Sequence, residues 1–464
     1  MMARFSLLKG LNGVLAALLY EVGIITLWRS TADAKLLCAQ RFVRMFAYGG
    51  STLILASYLS ALDISDSRIG MFMTLTLVGD GIISFFLAVF ADALGRRAVL
   101  ALGSLLMVAS GVAFGLTSNY VILLAAAVFG VISPSGNETG PFRAVEESTL
   151  ADVTSPEQLC DMIVWYSLLG NLGAAAGMAT CGWAINLLQS VNGWGFIASC
   201  RMVYLGYAAI GGLKFALSLC LSGKVEARQN KTAPCVEQQE PQDVTERRPL
   251  LDNNSGNERR RSADSSPKRM FAFPSLDKEL MVVFVRLSVL FGLDAFASGL
   301  ASPSWMAYFF KHKFSLSEGQ LGTIFSTTTI VAAGSMLVAT STAKRIGNVK
   351  TMVLAHLVAS LWLIFIPIPS GLFLALSFLA LRSCSQNMDV APRGAFIATI
   401  IPSDKRTAIM GALNVVKTYS QCFGPLATGV MANRGMLGWS FTTAGIIKVV
   451  YNIGILVSFG ATGI

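Results

Sequence analysis

Two polar stretches, residues 131–151 and 382–396, interrupt otherwise apolar sequence in the two halves of the chain. In each stretch an Asn precedes an Arg by six positions, an acidic residue follows the Asn closely, and a proline lies shortly before the Arg. Charged side chains in an apolar helix are costly, so they usually face a cavity or one another and mark a pathway. The proline removes a helix hydrogen bond, so we predict a bent or broken helix in the first stretch. The pattern is carried by Asn137, Glu138, Pro141 and Arg143 in the first stretch and by Asn387, Asp389, Pro392 and Arg393 in the second.

Arg143 and Arg393 are candidate ligands of a small molecule, because a guanidinium group can hold a carboxylate or a phosphate at two points. An internal ion pair is the alternative for each arginine. Glu147 lies one helical turn after Arg143, and Asp389 lies one turn before Arg393, and residues at this spacing are neighbours on a helix surface. The sequence leaves both interpretations open.

The acidic residues Glu138 and Asp389 are candidates for a group that gains and loses a proton. Burial favours the neutral, protonated form of a carboxyl group, and carboxyl groups inside membrane helices often serve in proton relays. A permanent salt bridge to an arginine is the alternative for both residues. We therefore predict that these two side chains are the proton-coupling groups.

Five further polar residues are candidates for lining a cavity beside the two arginines. Asp294 has no partner nearby in sequence, and Lys417 lies in a predicted helix at the position that corresponds to Tyr166 in the first half. Ordinary packing is the alternative for the tyrosine. With two asparagines added, the candidate substrate-binding residues are Arg143, Arg393, Lys417, Asn137, Asn387, Asp294 and Tyr166.

The composition predicts a polytopic helical membrane protein. Of the 464 residues, 54% are hydrophobic and 13% are charged, whereas soluble proteins carry about 25% charged residues. Apolar stretches of the roughly 20 residues that a membrane helix needs recur along the chain. The net charge of +10 does not indicate a nucleic-acid partner, because the basic residues cluster in loops as they do on cytoplasmic faces. Eight scattered cysteines without a CxxC pair and two distant histidines predict no metal site and no cofactor.

We predict an all-α membrane protein with twelve transmembrane helices in two pseudo-symmetric six-helix bundles, preceded by a short N-terminal apolar segment. Residues 1–40 form the N-terminal extension, 41–222 the first bundle, 223–279 a linker and 280–464 the second bundle. The linker is polar, almost free of aromatic residues and rich in basic residues, so we expect it to be disordered and cytoplasmic. With six spans on each side, the N- and C-terminal ends of the core also lie in the cytoplasm.

The two halves have the features of an internal repeat. The fourth predicted span, residues 120–151, and the tenth, residues 371–400, carry the two polar stretches, and the seventh covers residues 280–301 with a continuation to 310. Three pairs of corresponding residues lie 250 to 252 positions apart, which favours duplication. Membrane proteins built from such repeats often hold a binding site at the interface between them. The pairs are Gly95 and Gly347, Arg143 and Arg393, and Gly173 and Gly424.

Residues 88–97, AVFADALGRR, resemble the signature loop of the major facilitator superfamily, Gly-x-Leu-x-Asp-Arg-x-Gly-Arg-Arg. Ala88 and Ala93 depart from that pattern. The resemblance implies a secondary transporter that rocks two six-helix bundles, with the loop acting as a conformational latch on the cytoplasmic side. The departure at Ala93 implies a weaker latch. The residues that match the loop are Asp92, Gly95, Arg96 and Arg97.

The predicted linker contains a candidate sorting signal. Its residues 246–251, ERRPLL, fit an acidic dileucine pattern formed by Glu246, Leu250 and Leu251. The pattern resembles signals that send membrane proteins to vacuoles or lysosomes, and trafficking adaptors can reach it in a cytoplasmic loop. We therefore expect a vacuolar or lysosomal membrane rather than the plasma membrane.

The sequence predicts a secondary active transporter of a small anionic or zwitterionic solute, coupled to protons as a symporter or antiporter, which works by rocker-switch alternating access. One alternative is a multidrug efflux pump, which needs an apolar, aromatic-lined cavity with one or two acids. Another is a sensor that signals through the linker without transport. No nucleophile–base pair and no metal cluster is recognisable, so we predict no enzyme. The lack of a GxxxxGK[ST] nucleotide loop disfavours nucleotide-driven transport. The expected partners are the solute, the lipid bilayer and the adaptors, with no nucleic acid and a monomeric state.

Overall fold

The computed structural model describes residues 24–130, 132, 134, 141–226, 278–402 and 405–459. Within these ranges the chain is helical, with short loops and no strand. The helices before and after the predicted linker belong to one compact unit. The N-terminal apolar segment falls mostly outside the described residues, which begin with a short helix at Ile24.

Polar residues, glycines or prolines stand at many helix ends of the first half, for example Thr31, Gly95 and Pro156. Thr31 accepts a hydrogen bond from the backbone N–H of Ala34 and so caps the second helix. A short 3-10 turn, Gly223–Val225, follows the last helix. The helices are α1 (Ile24–Arg29), α2 (Ala32–Ala61), α3 (Asp66–Leu94), α4 (Arg96–Leu116), α5 (Tyr120–Gly130), α6 (Pro141–Val153), α7 (Pro156–Asn192) and α8 (Phe196–Leu219).

The second half repeats the alternation of long and broken helices. Its first helix is separated from a shorter one by Ala301 and Ser302. Its helices are α9 (Lys278–Leu300), α10 (Pro303–Phe314), α11 (Glu318–Ile346), α12 (Asn348–Phe365), α13 (Leu372–Ser383), α14 (Val390–Ile400), α15 (Arg406–Asn433) and α16 (Leu437–Phe459).

Three predicted spans are each divided into two helices. The expected break in the fourth span is confirmed, since α5 ends at Gly130 and α6 begins at Pro141. The span predicted over residues 371–400 contains a break that was not predicted, since α13 ends at Ser383 and α14 begins only at Val390. The seventh span does continue, but as a separate helix that starts at Pro303, whose missing N–H suits the first helical position.

Within the described ranges, five helical stretches are both long and apolar enough to cross a membrane. Three shorter helices of the described residues are also apolar: Tyr120–Gly130, Val349–Phe365 and Leu372–Ser383. The count of twelve spans in two bundles therefore stays a prediction. The five stretches are Arg96–Leu116, Asp161–Asn192, Phe196–Leu219, Lys278–Phe314 and Leu437–Phe459.

Helices of the two halves touch at one end of the molecule. We call it the linker-distal end, because α8 begins there and its other end leads into the linker. Glycines allow two close approaches. A Cβ atom on Gly322 of α11 would lie 2.6 Å from the carbonyl O of Met178 in α7, and one on Gly70 of α3 would lie 2.6 Å from the carbonyl O of Pro425 in α15. At the same end, the Tyr308 hydroxyl of α10 donates to Asp66 of α3 at 3.0 Å. The two halves are therefore joined at this end.

Candidate functional site

A cavity of about 340 Å³ lies between the two halves, midway along the helices. Its volume is at the lower end of the range for small-molecule sites, roughly 300–1,000 Å³. Helices α2 and α7 of the first half form one wall, and helices of the second half form the other. Among the described residues, the charged or imidazole side chains that line it all come from the second half: Asp294, His356, Arg382, Asp389, Arg393, Lys417 and Lys448.

The two walls differ in chemistry. The first-half wall contains the apolar side chains of Met45, Ala174 and Met178, together with neutral polar groups such as Tyr48 and Asn171. The second-half wall holds two carboxylates and four cations, which leaves an excess of two positive charges with a neutral imidazole. The cavity therefore presents a cationic face opposite an uncharged one.

Asp294 is the centre of the charged wall. This side chain of α9 is almost fully buried, and its Oδ1 accepts a hydrogen bond from Lys448 Nζ of α16 at 2.6 Å. The same oxygen lies 3.3 Å from His356 Nε2 of α12. Oδ2 lies 3.4 Å from Arg393 Nη1 of α14. Four helices therefore meet at one carboxylate.

Arg393 is shared between two carboxylates. Its Nη1 lies 3.3 Å from Asp389 Oδ2, one helical turn before it, and 3.4 Å from Asp294 Oδ2. Both distances are longer than the 2.7–2.9 Å that is usual for an N–H donor and a carboxylate. Asp389 sits at the N-terminal end of α14, where the break in the span brings it beside the cavity. The sequence-predicted ion pair is present, and both of its members still line the cavity.

Two cations of the charged wall have no carboxylate within ion-pair distance among the described residues. Lys417 of α15 is half-buried, and its Nζ lies 6.0 Å from the centre of the Phe291 ring. Arg382 is half-buried near the C-terminal end of α13. Uncompensated cations are costly at membrane depth. An anion in the cavity would supply the missing counter-charge.

A second buried ionic cluster lies in the first half and does not line the cavity. Glu146 of α6 is fully buried, and its Oε2 accepts hydrogen bonds at 2.6 Å from both Arg44 Nη2 and the Tyr166 hydroxyl. Lys214 Nζ lies 3.6 Å from Oε1. Arg41 stacks on the Tyr166 ring at 4.8 Å. This cluster ties α2, α6, α7 and α8 together.

The structure brings together some of the predicted site residues and separates others. Asp294, Asn387, Asp389, Arg393 and Lys417 line one cavity. The first-half candidates do not line it within the described part of the chain. Tyr166 lies in the first-half ionic cluster, and the half-exposed Arg143 pairs with Glu147 at 2.7 Å. Asn137, Glu138, Glu246, Leu250 and Leu251 lie outside the described residues.

The predicted latch loop connects helices of the first half. Gly95 joins α3 to α4 with a φ of +89°, and Gly347 joins α11 to α12 with a φ of +90°, values that favour glycine. Glu226 accepts hydrogen bonds from the backbone N–H groups of Arg96 and Arg97. The Arg96 side chain also pairs with Asp152 at the end of α6. The side chain of Asp92 is outside the described part of the structure, and the latch role stays a prediction.

Sequence reasoning missed three important side chains. His356 and Lys448 are single polar residues within the apolar runs VLAHLVA and GIIKVVYN, and this isolation was the available signal. Glu146 lies in the first polar stretch, but its deep burial with Arg44 depends on helix packing. Arg382 stands at the start of the second polar stretch, and the sequence left open whether it faces the cavity or anchors the membrane interface.

Comparison with known proteins agrees with this architecture. Over 425 residues the chain is 33% identical to the uncharacterized membrane protein YJR124C of Saccharomyces cerevisiae. The aligned region covers 90% of this chain and 92% of that protein. Among solved structures, a bacterial homolog of the human lysosomal transporter Spinster, in an inward-facing and occupied conformation, matches with a TM-score of 0.67 and 14% identity. The match covers 92% of this chain and 96% of that one. A D-xylose–proton symporter matches with a TM-score of 0.65 and 14% identity over 90% and 96%.

The family model described as Major Facilitator Superfamily matches residues 37–276 and 287–461, which is most of the chain. The fold is that of the transport proteins in this family, and the resemblance inferred from the signature loop is confirmed. This protein is therefore a multi-pass membrane protein that belongs to the major facilitator superfamily.

Proposed function

We propose that the protein is a secondary active transporter of a small organic anion or zwitterion, coupled to protons. In this proposal twelve spans form two six-helix bundles, which rock about the cavity to expose it to each side of the membrane in turn. The protein works as a monomer, and residues 88–97 latch one of its conformations. A vacuolar or lysosomal membrane is its location, with the linker signal read by trafficking adaptors.

The excess of positive charge on the cavity wall supports an anionic substrate. Four cations face two carboxylates, and Arg382 and Lys417 lack a carboxylate partner within the described residues. An anionic group beside them forms charge-assisted hydrogen bonds, which are roughly twice as strong as neutral ones. Asp294 and Asp389 can in addition accept an ammonium group, so a zwitterion also fits.

The same observation disfavours the alternative of multidrug efflux. Cationic drugs need an apolar cavity with one or two acids, whereas this cavity holds more cations than carboxylates. A sensor that binds its ligand in the same cavity fits this geometry equally well, and flux measurements separate it from a transporter.

The test uses the purified full-length protein in liposomes with an imposed pH gradient. Uptake is measured from a pool of labelled organic acids, amino acids, phosphorylated metabolites and cationic drugs. We expect acid-dependent uptake of anions or zwitterions. Lys417→Gln and Arg382→Gln should each lower uptake at low substrate concentration by roughly tenfold or more, because each removes a charge-assisted contact.

Arg286→Gln is the matched control, because Arg286 is an exposed residue of α9 that does not line the cavity. It should transport as the wild type does. Uptake of cationic drugs that both cavity variants retain would overturn the proposal in favour of efflux. The absence of any flux, with a signalling output that requires residues 230–270, would favour a sensor.

A further inference from the structure

We propose that His356 takes up the coupled proton, and that its protonation releases Arg393 from Asp294 so that Arg393 can bind the anionic group of the substrate. The inference rests on the proposed function and names the residues that link proton binding to substrate binding. It assigns proton uptake to an imidazole rather than to the carboxyl groups that the sequence indicated.

The position of His356 suits a proton acceptor. The side chain lies on α12, is almost fully buried and lines the cavity. Its ring packs edge to face on Tyr451, with 5.3 Å between ring centres. Imidazole is the side chain whose ordinary titration falls within the physiological pH range. The ring therefore lies where a proton from the cavity can reach it.

Asn452 can accommodate both protonation states of the ring. Its Nδ2 and Oδ1 lie 3.1 Å and 3.3 Å from His356 Nδ1. With Nδ2 donating to Nδ1, the neutral ring carries its proton on Nε2 and donates toward Asp294. A proton that leaves a hydronium ion in the cavity then bonds to the Nδ1 lone pair. The imidazolium donates from Nδ1 to Asn452 Oδ1 and from Nε2 to Asp294.

Protonation changes the charge balance at Asp294. The carboxylate already accepts a 2.6 Å hydrogen bond from Lys448, whereas its contact with Arg393 is 3.4 Å. A third cation at 3.3 Å, the His356 imidazolium, competes with the longer contact and repels the guanidinium. Arg393 is therefore the partner that leaves, and it then lies in the cavity with Asp389 as its only partner carboxylate among the described residues.

The other charged and titratable groups near His356 determine how its protonation changes anion binding. Asp389 and Asp294 are the two carboxylates of the wall, and protonation leaves them facing five positive groups instead of four. The anion-binding strength of the wall therefore rises as pH falls, which couples proton and anion in the same direction. The groups that share the wall or pack on the ring are Asp294, Arg382, Asp389, Arg393, Lys417, Lys448 and Tyr451.

The first experiment needs no substrate. The reconstituted full-length protein is treated with phenylglyoxal, which modifies accessible arginines, at about pH 5.5 and about pH 8. Mass spectrometry compares the modification rate of Arg393 with that of Arg382, which corrects for the pH dependence of the reagent. We expect this ratio to be about fivefold or more higher at the lower pH, as for a typical coupling between two sites.

Two variants test whether His356 causes the change. In His356→Gln the ratio should not depend on pH, whereas in His312→Gln it should change as in the wild type, because His312 does not line the cavity. A ratio in the wild type that is equal at both pH values overturns the inference without any variant. A pH-dependent ratio that persists in His356→Gln also overturns it.

Uptake of the anion pool separates this inference from the proposed function. Anion uptake together with a pH-independent ratio overturns the His356 switch and leaves the transporter proposal in place. A pH-dependent ratio without anion uptake overturns the proposed substrate class and supports the switch. We also expect His356→Gln to retain anion exchange at equal pH but to lose accumulation driven by a pH gradient.

Discussion

At the residue scale, two buried carboxylates among the described residues, Asp294 and Glu146, are each surrounded by cations. Asp294 contacts Lys448, His356 and Arg393 and lines the cavity, whereas Glu146 contacts Arg44, Tyr166 and Lys214 and does not. Burial is similar at the two sites, so burial does not distinguish them. Access to the cavity does, and it indicates a functional role for Asp294 and a structural one for Glu146.

Glu146→Gln should therefore lower the thermal unfolding temperature of the purified protein. Removing one partner of a buried ion pair costs about 3–5 kcal/mol, because it leaves the other charge unpaired. Glu147→Gln breaks the more exposed pair with Arg143, which is worth only about 0.3–0.5 kcal/mol. Thermal unfolding in detergent should show a clear decrease for Glu146→Gln and almost none for Glu147→Gln. Equal unfolding temperatures for the two variants would contradict the structural role.

At the element scale, broken helices place the polar groups. The span over residues 371–400 is interrupted between Ser383 and Val390, and this break brings Asn387 and Asp389 to the cavity. Sharp one-residue glycine junctions also set the directions of α4 and α12. The break therefore places Asn387 and Asp389, whereas the other charged or imidazole groups reach the cavity mainly from within regular helices: Asp294, His356, Lys417 and Lys448.

Gly95→Ala and Gly347→Ala should both destabilise the protein. A sparsely populated backbone conformation costs a residue other than glycine about 1–3 kcal/mol, and both positions have a φ near +90°. Gly95→Ala should cost more, because its new Cβ would lie 3.1 Å from Glu226 Oε2, whereas no heavy atom of the described residues lies within 4 Å of the Cβ at Gly347. Thermal unfolding measures the order of the effects.

Gly206→Ala is the control for these junction variants. Gly206 lies on an exposed face of α8, and its φ is outside the positive range. Alanine is the better helix former, so this variant should unfold at the same or a slightly higher temperature. A decrease as large as that of Gly95→Ala would show that backbone strain is not the cause.

At the scale of the whole molecule, the contacts between the halves at the linker-distal end define one conformation. Gly182 and Gly322 bring α7 and α11 together, and Gly70 and Gly429 do the same for α3 and α15. Small residues allow helix backbones to approach closely in membranes. Rocking of the two halves requires these contacts to separate.

Gly322→Leu should shift the protein toward the conformation that is open at the linker-distal end. The added side chain would meet the backbone of Met178 and Gly182, which cannot move aside without separating α7 from α11. Cys181, which is buried and directly precedes Gly182 in α7, should then react faster with a membrane-impermeant thiol reagent. Mass spectrometry of the labelled protein measures the rate at Cys181.

Gly334→Leu is the matched control on the same helix. Gly334 is exposed, and nothing in the described structure lies within 4 Å of a Cβ there. Its Cys181 should react at the wild-type rate. If Cys181 is equally protected in wild type and Gly322→Leu, the glycine contact does not control the conformation.

The sequence alone determined the class of the protein and much of its charged wall. Hydropathy depends on composition over about 20 residues, so the helical membrane fold was readable without coordinates, and the signature loop indicated the family. Asp294, Asp389, Arg393 and Lys417 were recognised because charges inside apolar runs are costly and therefore informative. The break beside Pro141 was predicted from the proline, whereas the break before Val390 was not predicted.

Tertiary structure decided which of the charges share a site. Arg143 and Arg393 have the same sequence context, yet one pairs with Glu147 at the surface and the other lines the cavity. His356 and Lys448 join Asp294 across 62 and 154 positions of sequence. Such contacts depend on how helices are rotated and packed against one another, and the pattern within one helix does not contain that information.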